Sequence, residues 1–178
     1  MSPLANYDPG PADVAHVEKD GEQWTLVLTK QLRHSPAKVW DALTDPAQLR
    51  EWAPFDADGS LGKTGTRVNL TTVGAPGPHV TEARVIRADK PASLEYNWGD
   101  FNMRWQLDAV NGGTKLTLWT NIDRKYMAMG AAGWHICFDV LDHMLAGDPI
   151  GRLAGPAAMQ FEGWRRLTAD YTKQFGNA

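Results

Sequence analysis

The sequence contains a single cysteine, Cys137, so no disulfide bond can form within the chain. This scarcity of cysteine is typical of proteins from reducing compartments. No run of residues approaches the roughly 18 consecutive apolar residues of a membrane span. The first 16 residues lack both the basic segment and the apolar segment of a signal peptide. These absences together predict a cytoplasmic protein without a membrane span.

An excess of positive charge is also missing. The chain has 18 Lys and Arg residues against 21 Asp and Glu residues, which gives a net charge of −3, and the cations are scattered. Because a nucleic-acid surface needs a basic patch, no nucleic-acid partner is predicted. The sequence has no G-x-S-x-G elbow, no G-x-G-x-x-G and no Walker loop, since the glycine-rich loop at 59–65 has the wrong spacing. No cofactor is therefore predicted.

Tryptophan, in contrast, is abundant. The chain has eight, spread over nearly every predicted element: Trp24, Trp40, Trp52, Trp98, Trp105, Trp119, Trp134 and Trp164. Each indole is large, and its N–H needs a hydrogen-bond partner when it is buried. Two interpretations stay open at this point, a solid core filled by indoles and a pocket lined by them.

The segment 34–52 encodes two short helices. Ser35-Pro36 and Asp45-Pro46 each combine an N-cap residue with a proline in the first turn, where its missing N–H does no harm. A strand-like run precedes the segment and a glycine-rich loop follows it. Two short helices that interrupt strands in this way suggest a lid over a sheet.

Segments with strand character lie on both sides of the helix pair. Apolar and polar residues alternate in several of them, and short separators with Gly and Pro join them, which favours antiparallel neighbours. Seven segments have this character: 14–19, 22–33, 66–73, 79–88, 93–98, 101–109 and 114–122. They predict an antiparallel meander of six or seven strands.

The hydrophobic period changes near the C-terminus. Residues 131–146 predict a long helix whose apolar arc spans well over half of its circumference, so that it needs cover on two sides. The sheet is expected on one side and a last helix, at 156–175, on the other. The predicted fold class is therefore α+β of the helix-grip type: a curved antiparallel sheet of six to seven strands around a long C-terminal helix, with two short helices after the first long strand and an extra C-terminal helix. Residues 1–12 are expected to be loose, and residues 13–178 to form a single domain.

Four segments resemble the AHSA-type family: SPAKVWDALTDPAQLREW, RVIRADKPASLEYNW, MRWQLDAVNGGTKLTLWTN and GWHICFDVLDHML. This family is named for the activator of the heat-shock-protein ATPase and belongs to the START/birch-pollen-allergen-like (SRPBCC) superfamily. The resemblance covers roughly residues 22–146, the expected core of the domain, and residues 147–178 extend beyond it. It implies the helix-grip fold. Members bind diverse apolar molecules, act as cyclases or hydrolases, or serve as co-chaperone domains, so the resemblance leaves the function open.

The favoured hypothesis is a protein that binds a small apolar or aromatic molecule in a cavity between the sheet and the long helix. The wide apolar arc around Trp134 and the indole content motivate it. Trp52 and Phe55 are expected at the mouth of the cavity. The wall is expected to contain Tyr96, Trp98, Met103, Trp105, Trp134, Phe138 and Leu141.

An enzyme that cyclises, hydrolyses or isomerises its bound ligand is the first alternative. It requires an inward acid or base, and the weak candidates are His79, Glu82, Arg84 and Arg104, in or beside predicted strands. Side chains that point to solvent instead would be ordinary charges on the outer face of the sheet. The second alternative, a co-chaperone-like module that stimulates a heat-shock ATPase, is disfavoured because no chaperone-binding N-terminal domain is recognised. A homodimer through the sheet or the last helix stays open.

The polar residues of the long helix predict no metal site. His135, Asp139, Asp142 and His143 share its polar arc, but two turns, roughly 12 Å, separate the two histidines, which is too far for a single ion. A solvated helix face is predicted instead. Cys137 lies on the apolar arc with no cation beside it in the sequence, so we expect a buried, inert thiol.

Overall fold

Strands with alternating apolar residues form an antiparallel sheet in the computed structural model, which describes residues 3–75, 77 and 79–176. Eight strands occur in this described part: β1 (Ala15–Asp20), β2 (Gln23–Leu32), β3 (Phe55–Ala57), β4 (Arg67–Thr72), β5 (Val80–Asp89), β6 (Ser93–Trp98), β7 (Phe101–Val110) and β8 (Gly113–Asn121). Their spatial order is β1-β2-β8-β7-β6-β5-β4-β3, and neighbours are antiparallel. The count exceeds the predicted six to seven because β3 has only three residues, too few to show an alternation in the sequence.

One face of the sheet carries the core. Along β7, Met103, Trp105 and Leu107 are buried, whereas Arg104 and Gln106 between them are exposed. The alternation arises because successive side chains of a strand point to opposite faces. Each central strand therefore presents apolar side chains to the helices and polar side chains to solvent.

The helix pair begins where its capping residues predict. Helix α1 (Pro36–Thr44) and helix α2 (Pro46–Trp52) each start at a proline. The Ser35 hydroxyl and the Asp45 carboxylate accept hydrogen bonds from backbone N–H groups in the first turn of α1 and α2, respectively. These side chains satisfy donors that the helix itself leaves unpaired.

The long helix α3 (Met127–Leu145) packs against the sheet through β2 and against the last helix, α5 (Glu162–Phe175). This is the predicted helix-grip arrangement. The single helix expected at 156–175 is divided, because Phe161 has an extended backbone and separates a short helix α4 (Pro156–Gln160) from α5. None of the described helices combines the length and the apolar character that crossing a bilayer requires.

The N-terminal residues that the structure describes contact the long helix, although the sequence analysis expected residues 1–12 to be loose. Residues Pro3–Asn6 form a short 3-10 helix. Beyond it, the Tyr7 hydroxyl lies 2.5 Å from Asp139, and the Pro9 carbonyl oxygen lies 2.7 Å from His135. This segment therefore covers part of α3.

Candidate functional site

A pocket of about 310 Å³ lies where three parts of the chain meet. The sheet contributes Trp98, Met103 and Thr120, from the ends of β6 and β8 and the beginning of β7. Helix α3 contributes Gly133, Trp134 and Cys137. The loop after α3, α4 and α5 contribute further residues, and Pro54, Ile122 and Tyr126 complete the lining. The pocket therefore lies between the sheet and the long helix.

The lining is almost entirely apolar. Within the described ranges, no Asp, Glu, Lys, Arg or His side chain lines this pocket. Four large lining side chains are also exposed to solvent, and we call them the mouth residues: Phe101 (40% exposed), Tyr126 (51%), Met129 (36%) and Met159 (47%). Among the large hydrophobic side chains outside the pocket, only Val80 and Ile86 are comparably exposed in the part of the chain that the structure describes. Exposed apolar surface is thus concentrated at the pocket, as it is at binding sites.

The residues after α3 form one wall of the pocket. They contribute six side chains or backbone segments: Leu153, Ala154, Gly155, Ala158, Met159 and Trp164. The backbone at Gly155 has a φ of +63°, and a Cβ there would lie 2.5 Å from the carbonyl oxygen of Val73. Glycine is therefore needed where this wall passes the end of β4.

Three of the nine predicted ligand-binding residues, Trp98, Met103 and Trp134, line the pocket. The other six are buried in the core and do not line it: Trp52, Phe55, Tyr96, Trp105, Phe138 and Leu141. Trp105 contacts the lining residue Trp134: the two rings pack edge-on with their centroids 5.7 Å apart. Trp52 and Phe55, expected at the mouth, are each 1% exposed. The mouth residues take that position instead.

The sequence does not predict the mouth residues or the pocket wall formed by the residues after α3, which we call the C-terminal wall. The mouth residues come from separate segments, and no periodic pattern marks them. Gly133 offered a usable signal, because glycine is unfavourable inside a helix. Apart from its chain neighbours and the backbone of its own helix, no atom lies within 4 Å of the position that a Cβ of Gly133 would take. The glycine at this position therefore marks empty space beside the helix.

The candidate acids and bases lie away from the pocket. His79, Glu82, Arg84 and Arg104 are all exposed, and none lines it. Glu82 and Arg84 alternate with buried residues of β5, so they point to the solvent face. The Arg104 guanidinium lies over the Trp119 ring, 4.2 Å from its centroid. These residues are the ordinary outer-face charges that the sequence analysis named as the other interpretation.

Only part of the polar arc of α3 is the solvated face that the sequence predicts: the Asp142 and His143 side chains are 41% and 43% exposed, whereas His135 and Asp139 are largely buried. His135 is 2% exposed, and the Asp139 side chain is 13% exposed. Asp139 accepts hydrogen bonds from the Tyr7 hydroxyl (2.5 Å) and the Lys30 ammonium group (2.6 Å). The N-terminal segment, β2 and α5 together cover His135 and Asp139, and their polar groups pair with these two side chains. Among the described residues, no three His, Cys, Asp or Glu side chains are placed to hold a metal ion.

The partners of His135 determine its tautomer. Nε2 lies 2.7 Å from the Pro9 carbonyl oxygen, which can only accept, so Nε2 carries a proton. Nδ1 lies 2.8 Å from the Tyr171 hydroxyl, which accepts a hydrogen bond from the Val14 N–H. With His135 neutral, the Tyr171 hydroxyl donates to Nδ1. The neutral imidazole thus ties α5 and the N-terminal segment to α3.

We expect the free energy of unfolding to decrease as the pH falls below about 6.5. Burial lowers the pKa of His135 below its ordinary value, and Lys30 acts in the same direction; the Pro9 carbonyl, Asp139 and Asp13 oppose it. The unfolded chain therefore binds a proton that the native protein does not, which removes up to about 1.4 kcal/mol per pH unit until the folded pKa is reached. Urea unfolding between about pH 7.5 and 5.5 measures this loss. The His135→Gln variant should lose this part of the pH dependence, and the same dependence in both proteins would contradict the assignment.

Cys137 lines the pocket but is 2% exposed. Burial raises the pKa of its thiol to about 12, and the Arg152 guanidinium only partly opposes this effect. Because the thiolate is the reactive form, we expect Cys137 to react with a disulfide reagent far more slowly in the native protein at pH 8 than in urea. Absorbance of the released thiol measures both rates. Equal rates would show that the thiol is accessible and ionised in the native state.

Comparison with known proteins identifies relatives of this architecture. Three solved structures have similar folds. A conserved protein of unknown function from Enterococcus faecalis has a TM-score of 0.70 at 14% identity, with 99% of this chain and 95% of that chain covered. CalU16 from Micromonospora echinospora has a TM-score of 0.63 at 18% identity, with 90% and 93% covered. A protein from Mesorhizobium loti has a TM-score of 0.60 at 24% identity, with 69% and 97% covered.

These identities are low, so the likenesses show the fold and nothing further. No curated protein sequence matches the chain. The family model described as "Activator of Hsp90 ATPase homolog 1-like protein" matches residues 33–146, which is more than half of the chain and includes the sheet from β3 to β8, the helix pair and α3. The chain therefore belongs to the family of Activator of Hsp90 ATPase homolog 1-like proteins.

Proposed function

We propose that the protein binds a small apolar or aromatic molecule in the pocket between the sheet, α3 and the C-terminal wall. One observation carries the proposal: an apolar pocket without charged lining residues in the described ranges opens among the exposed mouth residues. Its volume of about 310 Å³ is at the lower end of the range for small-molecule sites, roughly 300–1,000 Å³. A ligand seated there would bury exposed apolar surface, which contributes about 25 cal/mol per Å².

The pocket favours binding over catalysis. Its described lining has only two titratable side chains, Tyr126 and Cys137. Cys137 has a raised pKa, and Tyr126 lies at the mouth in contact with solvent. General acid–base chemistry at neutral pH needs a group that titrates nearby, and the raised pKa of Cys137 makes its thiol unsuitable for this role. A co-chaperone role has no separate support, because most exposed apolar side chains belong to the mouth of the pocket itself.

A thermal-shift experiment with a neutral naphthalene, 2-isopropenylnaphthalene, tests the proposal. We expect the melting temperature to rise with ligand concentration, because a molecule that binds only the native state stabilises it. Native mass spectrometry of freshly purified protein should also reveal a bound small molecule. Absence of both effects, together with unchanged indole resonances in an NMR titration, would contradict the proposal.

Two variants separate binding in the pocket from binding to any exposed apolar side chain. Met159 (47% exposed) is a mouth residue, and Ile86 (54% exposed) lies outside the pocket. We expect Met159→Ser to weaken naphthalene binding roughly threefold, because it removes apolar contact area at the mouth. Ile86→Ser should leave the affinity unchanged. Equal losses in the two variants would mean that the naphthalene binds non-specifically.

A further inference from the structure

The buried indole of Trp134 has no hydrogen-bond partner among the residues that the structure describes. Trp134 is 8% exposed and lines the pocket. Its ring contacts Trp98, Trp105 and Phe138, and none of these contacts supplies an acceptor for the indole N–H. In the described part of the chain, only the hydroxyls of Thr81 and Thr168 are both fully buried and unpaired. The Trp134 nitrogen is unpaired but is not one of these fully buried atoms, so part of its surface is accessible. The accessible space beside Trp134 is the pocket that it lines.

The fully buried indoles of the core behave differently. Trp52 donates its N–H to the Ala42 carbonyl oxygen at 2.9 Å. Trp105 donates to the Tyr96 hydroxyl at 3.3 Å. Buried indoles usually find an acceptor in this way. Trp134 departs from this behaviour at the point where its ring meets the pocket.

Two polar side chains of the lining, Thr120 and Asn121, are already engaged, and the Tyr126 hydroxyl belongs to an exposed mouth residue that water reaches. The Thr120 hydroxyl lies 3.4 Å from the Met103 sulfur. The Asn121 side chain accepts from the Asn102 N–H at 2.6 Å and donates to the Asp100 carbonyl oxygen at 3.2 Å. Trp98 and Trp164, the other two lining indoles, are only partly buried, so water can reach them. The deep donor that a ligand can engage is therefore the Trp134 N–H.

The geometry points to an uncharged aromatic ligand with a hydrogen-bond acceptor, such as a ketone, quinone or ether oxygen, that accepts from the indole N–H of Trp134. This inference rests on the proposed function and specifies its ligand class. A ligand without an acceptor leaves the indole N–H dry and unpaired, which is unfavourable. An anionic ligand is disfavoured because no cationic side chain in the described ranges lines the pocket, and an unpaired charge binds poorly in apolar surroundings.

Three naphthalenes of similar size test the inference. 2-Acetylnaphthalene has an acceptor, 2-isopropenylnaphthalene replaces its oxygen with a methylene group, and 2-naphthoate is an anion. Binding is followed by ¹H–¹⁵N NMR of the eight indole N–H groups, assigned with Trp→Phe variants. We expect the ketone, but not the alkene, to move the Trp134 N–H resonance downfield. The hydrogen-bonded indoles of Trp52 and Trp105 serve as internal controls, without a comparable downfield shift.

The Trp134→Phe variant keeps an aromatic ring and removes the donor. We expect it to weaken binding of the ketone about fivefold, the effect of one neutral hydrogen bond, and to change the affinity for the alkene less than twofold. Naphthoate should bind at least tenfold more weakly than the ketone. Unfolding of the variant in urea and its seven remaining indole resonances verify that it is folded.

The failures are distinguishable. Equal weakening of the ketone and the alkene, a downfield shift at Trp98 or Trp164 instead of Trp134, or naphthoate binding as tight as that of the ketone would each overturn the inference while the proposed function stands. If neither neutral compound binds the wild-type protein, the proposed function fails, and the inference fails with it.

Discussion

Replacing Gly133 with leucine should lower the affinity for 2-acetylnaphthalene at least tenfold without destabilising the protein. Gly133 lines the pocket from α3, and no atom outside its chain neighbours and the backbone of its own helix lies within 4 Å of the position of a Cβ there. A leucine side chain therefore enters the pocket itself and occupies space that the ligand needs. Leucine also favours a helix more than glycine does, by an amount approaching 1 kcal/mol. NMR titration measures the affinity, and urea unfolding measures the stability.

Gly133→Ala is the matched control for this prediction. It changes the same helical position and gains the same kind of backbone stabilisation, about 0.5–1 kcal/mol, but it adds only a methyl group to the pocket. We expect its affinity to stay within about threefold of the wild type. If Gly133→Leu bound the ketone as tightly as the wild type does, the ligand would have to sit elsewhere, and the proposed site would be wrong.

Removing the Asp139 carboxylate should lower the free energy of unfolding by about 2–3 kcal/mol. The carboxylate accepts from Tyr7 and from the Lys30 ammonium group, whose side chain is 22% exposed. In Asp139→Ala both donors lose their acceptor, and Lys30 becomes a largely buried, unpaired cation. The estimate is below that for a completely buried pair because solvent reaches part of both side chains. Urea unfolding at pH 7 measures the change.

Asp142 provides the comparison on the same helix. Its side chain is 41% exposed, and the Nε2 atom of His34 lies 3.6 Å from its carboxylate. Asp142→Ala should therefore change the free energy of unfolding by no more than about 0.5 kcal/mol. Asp139→Asn should fall between the two alanine variants, since the amide oxygen keeps one acceptor. A similar, small effect at both positions would show that the Asp139 network contributes little to stability.

The residues after 146 contribute both to the pocket that Gly133 lines and to the cover over the buried polar residues of α3. They lie outside the segment that the family model matches, yet they form a pocket wall through Ala158 and Trp164 and cover α3 through Tyr171. The shape of the proposed site therefore depends on residues outside the segment that the family model matches. Relatives that share residues equivalent to 33–146 but differ afterwards should have a differently shaped pocket.

Features held by neighbours in the chain could be predicted from the sequence. The caps at Ser35 and Asp45 act on backbone groups two or three residues away, and both were correct. The alternation of Met103, Trp105 and Leu107 in β7 is equally local. Such signals predicted the helix pair, the antiparallel order and the helix-grip fold, and the family match agrees with them.

Features that depend on distant segments could not be predicted in the same way. A polar arc on a helix has the same sequence whether water or another part of the chain covers it. His135 and Asp139 are buried only because Tyr171, Tyr7 and Lys30 supply polar partners from segments far away in sequence. The pattern around His135 and Asp139 contains no trace of those partners.

The sequence by itself determined most of the helices and strands, the antiparallel pairing of strands that follow one another in the chain, and the apolar material of the core. Only the tertiary structure decided which aromatic residues fill the core and which face a pocket. Trp105 and Trp134 are both buried indoles, but a hydroxyl lies beside the first and open space beside the second. The physical reason is that a cavity is left where three separate segments fail to fill the volume between them. No periodicity within one segment can record that remaining space.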